Sequence, residues 1–483
     1  MGMKRFRSGT ALALLAILSS CGGGGGGSGG GGNPAPPVVV VPPPPPPTVS
    51  TCSLRTRQDW AAGVLKEWYL FPETLPASLD PSGFTTVEAY IDALTATARA
   101  QRRDRFFTHL ASIAEEDAFF SAGSSAGFGV RLSYETVQGR VFIAEAFEGA
   151  PALAAGIDRG AEIVAIGTSA ANLQSVSSLM ASGGPDAVSA ALGPSTPGVT
   201  RVLRITDSAG TRDVTLAKAD YALTPVSSRY GAKILDDGGR KVGYLNLRTF
   251  ISTADPALRN AFATFRAQGI TDIVIDLRYN GGGLVSTAEL MGDLLGRNRS
   301  TSDVFSFTTF RPEKSSNNST RLFRTEANSI APTRIAFIGT GGTASASELV
   351  INAFIPYLHA NAALVGTNTY GKPVGQIAVD RSACDDRLRV VAFKTENAAR
   401  QGDYYDGLAT KVEASCQAAD DLSKPFGDPQ EASIRASLDF LAGRPCARIA
   451  ASTGITTQAV KERRELLTPE RPSTVQREVP GAF

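Results

Sequence analysis

The spacing of apolar residues changes three times along the chain. Between residues 52 and 125 apolar side chains recur at helical spacing, as Trp60, Val64 and Trp68 do. This period is typical of amphipathic helices that bury one face. We therefore expect a small N-terminal helical domain over residues 52–125.

Residues 126–220 show short apolar runs separated by turn residues, which predicts a β-rich domain. Two short helices fit between the runs, one near residue 152 and one over 186–192. The predicted strands are 128–132, 141–147, 162–166, 202–205 and 214–216.

From residue 221 to 448 apolar strands alternate with amphipathic helices. This order predicts an α/β core built from βαβ units, in which part of the sheet is parallel. The predicted strands are 242–247, 273–277 and 334–339, and the predicted helices are 256–268, 284–295, 347–358 and 429–442. Residues 449–483 are polar and contain several prolines, so we expect a weakly ordered tail there.

The N-terminus has the pattern of an export signal. A basic start precedes the short apolar run 11–18, which is too short to span a bilayer. Leu18-Ser19-Ser20-Cys21 follows and resembles a bacterial lipobox. We expect residues 1–20 to be a lipoprotein signal peptide and Cys21 to be lipidated. An ordinary signal peptide with a chance cysteine is the alternative.

Low-complexity sequence follows Cys21 directly. Residues 22–32 hold ten glycines and one serine, and 33–47 hold nine prolines. Neither stretch can bury enough apolar surface to fold, so residues 21–51 are expected to be a tether. A lipid anchor at Cys21 would place the protein in the bacterial cell envelope, facing the periplasm, and Gly22 favours the outer membrane by resemblance to enterobacterial sorting. No other apolar run approaches about 18 residues, so no transmembrane helix is expected.

Charge and composition exclude several function classes. The chain has 48 basic and 46 acidic side chains, so nucleic-acid binding is not expected. Its two histidines make a multi-histidine metal site improbable, and no metal or organic cofactor is implied. Four cysteines besides Cys21 suggest disulfides in an exported chain. We expect Cys384–Cys416, with Cys52–Cys446 by elimination, and buried thiols are the alternative.

Ser345 is the first candidate for chemistry. A strand runs into a glycine-rich turn, and a helix begins at Ser345-Ala346-Ser347-Glu348. The Ser-x-x-Glu spacing is a capping box, and capping alone would explain it. A helix N-terminus also offers unpaired N–H groups that favour a developing oxyanion, so the Ser345 hydroxyl is a candidate nucleophile.

Lys372 is the candidate base, because neither histidine suits Ser345. His359 lies about four helical turns beyond it, and His109 falls in the predicted helical domain. A lysine can act as a base when burial lowers its pKa. Gln376 lies four residues after Lys372 and shares its face in an extended segment, so its amide could orient the amine. A turn lysine facing solvent is the alternative.

Residues 149–163 resemble the most recognisable stretch of bacterial PDZ domains. Such domains bind a peptide as an added strand and capture its terminal carboxylate with backbone amides. The loop that resembles this carboxylate-binding element is Gly127, Phe128, Gly129 and Val130. The Gly-x-Ser-x-Gly pattern around Ser125 is dismissed as a nucleophile elbow, because a strand rather than a helix follows it.

Together these segments resemble the carboxyl-terminal processing (tail-specific) serine protease family. The resemblance rests on Ser-Ala-Ser-Glu at 345–348, on Gly-Lys with a glutamine four after the lysine, and on Asp-Leu-Arg-Tyr-Asn-Gly-Gly-Gly at 276–283. It covers about residues 55–443 and implies a PDZ-containing bacterial lipoprotein member. The implied fold is an α/β core of the ClpP/crotonase type with an inserted PDZ-like domain and an N-terminal helical domain.

The resemblance also implies roles for single residues. Ser345 matches the nucleophile, Lys372 the general base and Gln376 the residue that orients the base. The implied oxyanion donors are the backbone N–H groups of Ala346 and of Gly281 or Gly282. Two features depart from the family: Ser345 and Lys372 lie 27 residues apart, and Pro373 follows the lysine where glycine is usual.

The resulting expectation is a serine endopeptidase that cleaves exported or cell-envelope polypeptides recruited by their carboxyl termini through the PDZ domain. A rival from another class is a catalytically silent peptide-binding scaffold of the envelope. A carrier of small ligands on the same core is a third possibility.

Overall fold

The computed structural model describes residues 51–450 and 464–483. The expected signal peptide, the lipidated Cys21 and nearly all of the tether lie outside the described residues. Within these residues, no helix is both long and apolar enough to cross a membrane.

A six-stranded sheet forms the centre of the α/β core. Its first two strands pair antiparallel and all later neighbours pair parallel. Parallel strands covered on both faces need nearly continuous apolar sequence, and the buried run of residues 273–275 has it. In spatial order the strands are Ala232–Asp237, Arg240–Asn246, Asp272–Asp276, Arg334–Gly339, Ala362–Gly366 and Ala414–Gln417.

Helices cover both faces of this sheet. Alternate strand residues point to opposite faces, so Ile273 and Ile275 contact one helical layer while Val274 contacts the other. The first layer is formed by Ala254–Ala267, Val285–Leu295 and Ala346–Leu358, and the second by Ala432–Leu441. Each predicted strand and helix of the core is present, with its ends within three residues of the prediction.

The N-terminal part is helical, but not throughout. The strand His109–Ser112 interrupts the predicted helical domain and pairs antiparallel with Asp386–Glu396. The expectation that His109 lies among helices is therefore wrong, because backbone pairing with a distant strand overrides the local pattern. The helices present are Leu54–Trp68, Val87–Leu94, Ala96–Ala100 and Ile113–Ala122.

A five-stranded sheet connects these helices to the α/β core. Leu388 and Val390 on its longest strand pack in one apolar cluster with Leu65 and Ile91 of the N-terminal helices. Its strands are His109–Ser112, Val304–Phe310, Ser319–Leu322, Val374–Arg381 and Asp386–Glu396.

The β-rich region forms a seven-stranded antiparallel sheet. The five strands predicted from sequence are present, and the helix predicted over 186–192 is the second half of Val176–Leu192. The strands are Val130–Glu135, Arg140–Ala146, Glu162–Gly167, Gln174–Ser175, Thr200–Asp207, Gly210–Ala217 and Arg464–Leu466. A short helix over Pro151–Ala154 and a separate strand pair, Ser124–Gly127 with Ala219–Ala222, complete the region.

Residues 464–483, which we name the carboxyl-terminal segment, are ordered and packed. This corrects the expectation of a weakly ordered tail for that part of 449–483. The strand Arg464–Leu466 joins the β-rich sheet, and the helical turn Thr474–Glu478 follows it. The polar composition misled the prediction because a few apolar residues, chiefly Leu467, Val479 and Phe483, are buried and anchor the segment.

The disulfide connectivity also differs from the expectation. The bonds are Cys52–Cys384 and Cys416–Cys446, with Cα–Cα distances of 5.5 and 5.4 Å, so the predicted pairs Cys384–Cys416 and Cys52–Cys446 are wrong. Cys416 lies on the last strand of the core sheet. After the final core helix the chain returns alongside that strand, where Gln417 N–H donates to the Ala447 carbonyl at 2.7 Å. Cys446 is therefore the nearer partner.

Candidate active site

Ser345 lies at the junction between the buried strand Arg334–Gly339 and the helix Ala346–Leu358. Its backbone has φ 55° and ψ −114°. A residue with a side chain rarely adopts a positive φ, and such strain is found mainly at functional sites. The sharp turn leaves Ser345 half-buried at the start of an otherwise buried helix. The structure thus places a hydroxyl where helix N–H groups converge.

Glu348 connects the Ser345 turn to the loop that carries Lys372. Its carboxylate is fully buried and accepts hydrogen bonds from the N–H groups of Ser345 at 3.1 Å and of Lys372 at 2.7 Å. It also accepts from Gly371 N–H at 2.7 Å and from the Thr369 hydroxyl at 2.6 Å. Burial is the main reason that the pKa of Glu348 is raised, and these four donors oppose the rise. One carboxylate therefore fixes both segments.

Gln376 contacts Lys372 as the spacing predicts. The Lys372 amine donates to Gln376 Oε1 at 2.9 Å. The amide nitrogen of Gln376 donates to the Phe107 carbonyl, which fixes the orientation of the amide and points its oxygen at the lysine. The register of this strand shifts between Gly375 and Gln376. Such a bulge redirects a side chain, and bulges are common beside active sites.

The surroundings of Lys372 lower its pKa. Burial is the largest cause, and the Arg477 and Arg389 cations add to it, while Glu478 and Asp104 oppose it. The amine also lies 5.0 Å from the centre of the Phe107 ring. A lysine in this setting reaches the neutral form more readily than one in water.

The Tyr279–Gly283 loop lies against the Ser345 turn. The Asn280 carbonyl accepts from Ala344 N–H and from the Ser347 hydroxyl, each at 3.0 Å, so Ser347 has a structural contact. A Cβ on Gly282 would fall 2.8 Å from Cβ of Ser345, and Gly282 has φ 122°. Only glycine allows this approach.

The two candidate glycine donors differ in what their N–H groups contact. Gly282 N–H donates to the side-chain oxygen of Asn280 at 3.0 Å. Gly281 N–H instead donates to the Glu478 carbonyl of the carboxyl-terminal segment at 3.0 Å. Of the two glycines, Gly281 is therefore the one whose N–H group donates to a peptide carbonyl. It adjoins Gly282, which lies close to the Ala346 N–H group at the start of the helix.

A buried network of charged side chains fixes the residues that directly precede this loop. The Arg278 guanidinium, with no exposed surface, contacts Asp276 at 3.0 Å and Glu431 at 2.8 Å. Buried charges are tolerated only when they are paired and hydrogen-bonded, as these are. Asp276 and Arg278 therefore support the loop.

The Gly127–Val130 loop lies at the edge of the β-rich sheet and also contacts the carboxyl-terminal segment. Gly129 N–H and Val130 N–H donate to the Phe483 carbonyl oxygen at 3.0 and 3.2 Å. The Ser345 region and this loop are thus both contacted by one segment of the chain.

Sequence reasoning missed two contributors to the site. The Ser-x-x-Glu spacing marked Glu348 only as a cap, and no local pattern shows that it also holds the lysine loop. Nδ1 of His109 lies 2.8 Å from the Phe107 carbonyl oxygen to which Gln376 also donates, and burial lowers the pKa of His109 well below its usual value. Its location depends on long-range strand pairing, which the sequence does not display.

Comparison with known proteins relates part of this chain to a peptidase family. The model of peptidase family S41 matches residues 241–401, a range that holds Ser345, Lys372 and Gln376. Residues 241–401 thus form a peptidase family S41 domain. The match confirms the peptidase part of the resemblance seen in the sequence, and the S41 domain coincides with most of the α/β core. The PDZ domain and the lipid anchor stay predictions.

Two processing peptidases are similar to about half of the chain. A chloroplastic C-terminal processing peptidase of Tetradesmus obliquus is 29% identical over 279 residues, 54% of this chain and 54% of that protein. The carboxyl-terminal-processing protease of Synechocystis is 26% identical over 257 residues, 52% of this chain and 54% of that protein. The chain therefore spans about half the length of these curated relatives.

A solved structure shares the fold over a longer range. A crystal structure of a candidate S41 protease from Bacteroides fragilis aligns with a TM-score of 0.62 at 24% sequence identity. The alignment covers 80% of this chain and 97% of that one. The S41 domain and its flanking regions thus share a fold of mixed sheets and helices with that protease structure.

Proposed function

We propose that the protein is a serine endopeptidase in which Ser345 is the nucleophile and Lys372 the general base. The observation that carries this proposal is the shared contact of Glu348 with the backbones of both residues. A nucleophile and its base must keep a fixed relative position, and a common buried carboxylate provides it. The strained turn at Ser345 and the lowered pKa of Lys372 support the same assignment.

The reaction follows from these groups. The neutral amine of Lys372 takes the proton of the Ser345 hydroxyl while the serine oxygen attacks the carbonyl carbon of a peptide bond. The tetrahedral intermediate collapses, and the leaving amine receives the proton from Lys372. A water molecule then hydrolyses the acyl-enzyme, with Lys372 again acting as the base. Gln376 holds the amine in place through the contact of its side-chain oxygen.

The oxyanion is proposed to bind the backbone N–H groups of Ala346 and Gly281. Gly281 is preferred to Gly282 because its N–H already contacts a peptide carbonyl, whereas Gly282 N–H is bonded to Asn280. Preorganised donors of this kind often supply the largest part of the rate enhancement.

Substrates are proposed to reach the dyad through the β-rich region, acting as a PDZ domain. The loop Gly127, Phe128, Gly129 and Val130 would accept the carboxyl terminus of an exported or cell-envelope polypeptide, which adds as a strand. The contact of Gly129 and Val130 with the Phe483 carbonyl supports this role. A lipid anchor at Cys21 is proposed to hold the protein in the cell envelope, facing the periplasm, with the outer membrane favoured.

Cleavage of an unfolded polypeptide by purified protein tests the catalytic part. Ser345→Ala and Lys372→Arg should each abolish turnover, because the first removes the nucleophile and the second supplies a group that stays charged. The matched control is Ser125→Ala, a buried serine outside the dyad, which should cleave like the parent. Retained turnover in either dyad variant would contradict the assignment of Ser345 and Lys372. If the parent protein binds peptide but shows no turnover, the scaffold alternative is favoured.

A further inference from the structure

The carboxyl-terminal segment extends one edge of the β-rich sheet along its full length. Arg464–Leu466 pairs antiparallel with Ser133, Tyr134 and Glu135. Further along the same edge, Leu132 N–H donates to the Gly481 carbonyl at 2.8 Å, and Ala482 pairs with Arg131. This is the edge to which a peptide ligand would be added.

Phe483, the last residue of the sequence, is held in the glycine loop by three backbone hydrogen bonds. Besides the two bonds to its carbonyl oxygen, Phe483 N–H donates to the Val130 carbonyl at 2.9 Å. A Cβ on Gly127 would fall 2.6 Å from the carbonyl carbon of Phe483, so the loop closes tightly around it. The Phe483 side chain is 3% exposed and packs among apolar residues that include Phe128, Leu132, Ile143, Val188 and Leu192.

The residues before this anchor contact the Gly281 loop beside the candidate dyad. Besides donating to the Glu478 carbonyl, Gly281 is so close to the segment that a Cβ there would fall 2.2 Å from the Arg477 carbonyl oxygen. The negative charge of Glu478 works against the lowering of the Lys372 pKa, which favours the charged amine. The segment thus occupies the N–H group of the candidate oxyanion donor Gly281 and affects the charge of the candidate base.

The conformation of the segment is unlike that of a peptide about to be cut. Residues Thr474–Glu478 form a helical turn, closed by a hydrogen bond of 2.7 Å from Val479 N–H to the Val475 carbonyl. Gln476 also donates to the Ala482 carbonyl at 2.9 Å, which folds the segment back on itself. A substrate presented by strand addition is extended, and Pro480 lacks the N–H that an added strand would donate.

We propose that residues 474–483 are a built-in competitive ligand, which fills the peptide groove and covers the dyad until a substrate displaces it. The apolar pocket that holds the Phe483 side chain therefore favours a polypeptide with a large apolar side chain at this position. The proposal rests on the proposed function, because it assigns the groove and the dyad to one substrate path. A ligand that is part of the same chain has an effective concentration of the order of mM when the linker is short. An added peptide therefore competes poorly until the binding of Phe483 in its pocket is weakened.

Binding is measured with a fluorescent peptide of the sequence of residues 474–483 and the full-length chain carrying Ser345→Ala, so that no cleavage interferes. Adding Phe483→Asp to that chain should tighten peptide binding at least tenfold, because the competing anchor no longer enters the apolar pocket. The matched control is Val137→Asp, at a residue 57% exposed, which should leave binding unchanged. A peptide ending in Asp instead of Phe should bind at least tenfold more weakly to the Phe483→Asp chain.

Two results would overturn the proposal: a folded Phe483→Asp chain that binds the peptide no better than its parent, or equal binding of the Phe-ended and Asp-ended peptides. Thermal unfolding checks the fold, and Phe483→Ala replaces the Asp variant if that one unfolds. With Ser345 intact, Phe483→Asp should also raise turnover of an unfolded polypeptide several-fold. Since binding is read without catalysis, an inactive enzyme that binds as expected would refute the proposed function while leaving the built-in ligand standing.

Discussion

At the scale of single residues, Glu348 determines the geometry of the candidate dyad. Replacing it with Gln keeps the size but puts an amide NH₂ group against backbone donors that need an acceptor. We expect Glu348→Gln to lower kcat about 10- to 100-fold with little change in KM, and to cost about 1–3 kcal/mol of stability.

Steady-state kinetics and urea unfolding measure these two effects. The control is Glu67→Gln, which breaks only an exposed ion pair with Lys314 and should change neither kcat nor stability by a large amount. An unchanged kcat in Glu348→Gln would show that the shared carboxylate does not position the dyad.

The lowered pKa of Lys372 predicts how the activity depends on pH. Only the neutral amine can accept the serine proton, so kcat/KM should rise with pH through the lysine pKa, with a midpoint below the ordinary value of 10.5. The charges that set this midpoint are Glu478 and Asp104, which raise the pKa, and Arg477 and Arg389, which lower it.

Replacing Glu478 with Gln removes one of the charges that favour the ammonium form, so the midpoint should move to lower pH. The control Glu470→Gln changes an exposed carboxylate of the same segment and should leave the profile in place. A midpoint that stays fixed or moves upward in Glu478→Gln would contradict the placement of this carboxylate beside Lys372.

At the scale of elements, the turn between the strand Arg334–Gly339 and the helix Ala346–Leu358 stores backbone strain at Ser345. Glycine adopts a positive φ without that cost. Both Ser345→Gly and Ser345→Ala should be inactive, but the Gly variant should be more stable than the Ala variant by about 1 kcal/mol. Urea unfolding compares them directly. An Ala variant equal to or more stable than the Gly variant would contradict the strained turn.

The pairing of the cysteines gives a second prediction at this scale. Peptide mapping of unreduced protein should recover Cys52 linked to Cys384 and Cys416 linked to Cys446. The second bond closes a loop with a sequence separation of 30, so replacing both of its cysteines with serine should cost about 3–4 kcal/mol. Recovery of a Cys384–Cys416 peptide would contradict the packing of the chain against the last core strand.

The core elements could be predicted from sequence because their signals are local. The helix Ala254–Ala267 shows its buried face in Leu258, Phe262 and Phe265, and the apolar run at 273–275 shows a buried strand. The strand His109–Ser112 could not be predicted, because its partner lies far along the chain and its own residues are only partly buried.

The candidate site was predictable in part for the same reason. Ser345, Lys372 and Gln376 lie in short motifs with fixed spacing, and the contact between Lys372 and Gln376 follows from their positions in an extended segment. The second role of Glu348 and the approach of Glu478 to Lys372 depend on segments far apart in sequence. No pattern within either segment indicates them.

At the scale of the whole molecule, the carboxyl-terminal segment connects the proposed peptide groove with the loop beside the candidate dyad. It pairs with the β-rich sheet at Val130–Glu135, passes over Gly281 and ends in the pocket lined by Phe128. Under the proposal, recognition and cleavage are coupled, because a polypeptide that takes the place of Phe483 would also release Gly281 from the segment. The N-terminal region contributes as well, because the Phe107 carbonyl, just before the strand His109–Ser112, accepts a hydrogen bond from Gln376.

The most direct test of the Ser345–Lys372 dyad is covalent labelling with a fluorophosphonate, which reacts with activated serines, followed by mapping of the modified peptide. The account predicts one label, on Ser345, faster in Phe483→Asp than in the parent and lost in Lys372→Arg. Labelling of another serine, or equal labelling of Ser345 with and without Lys372, would contradict it.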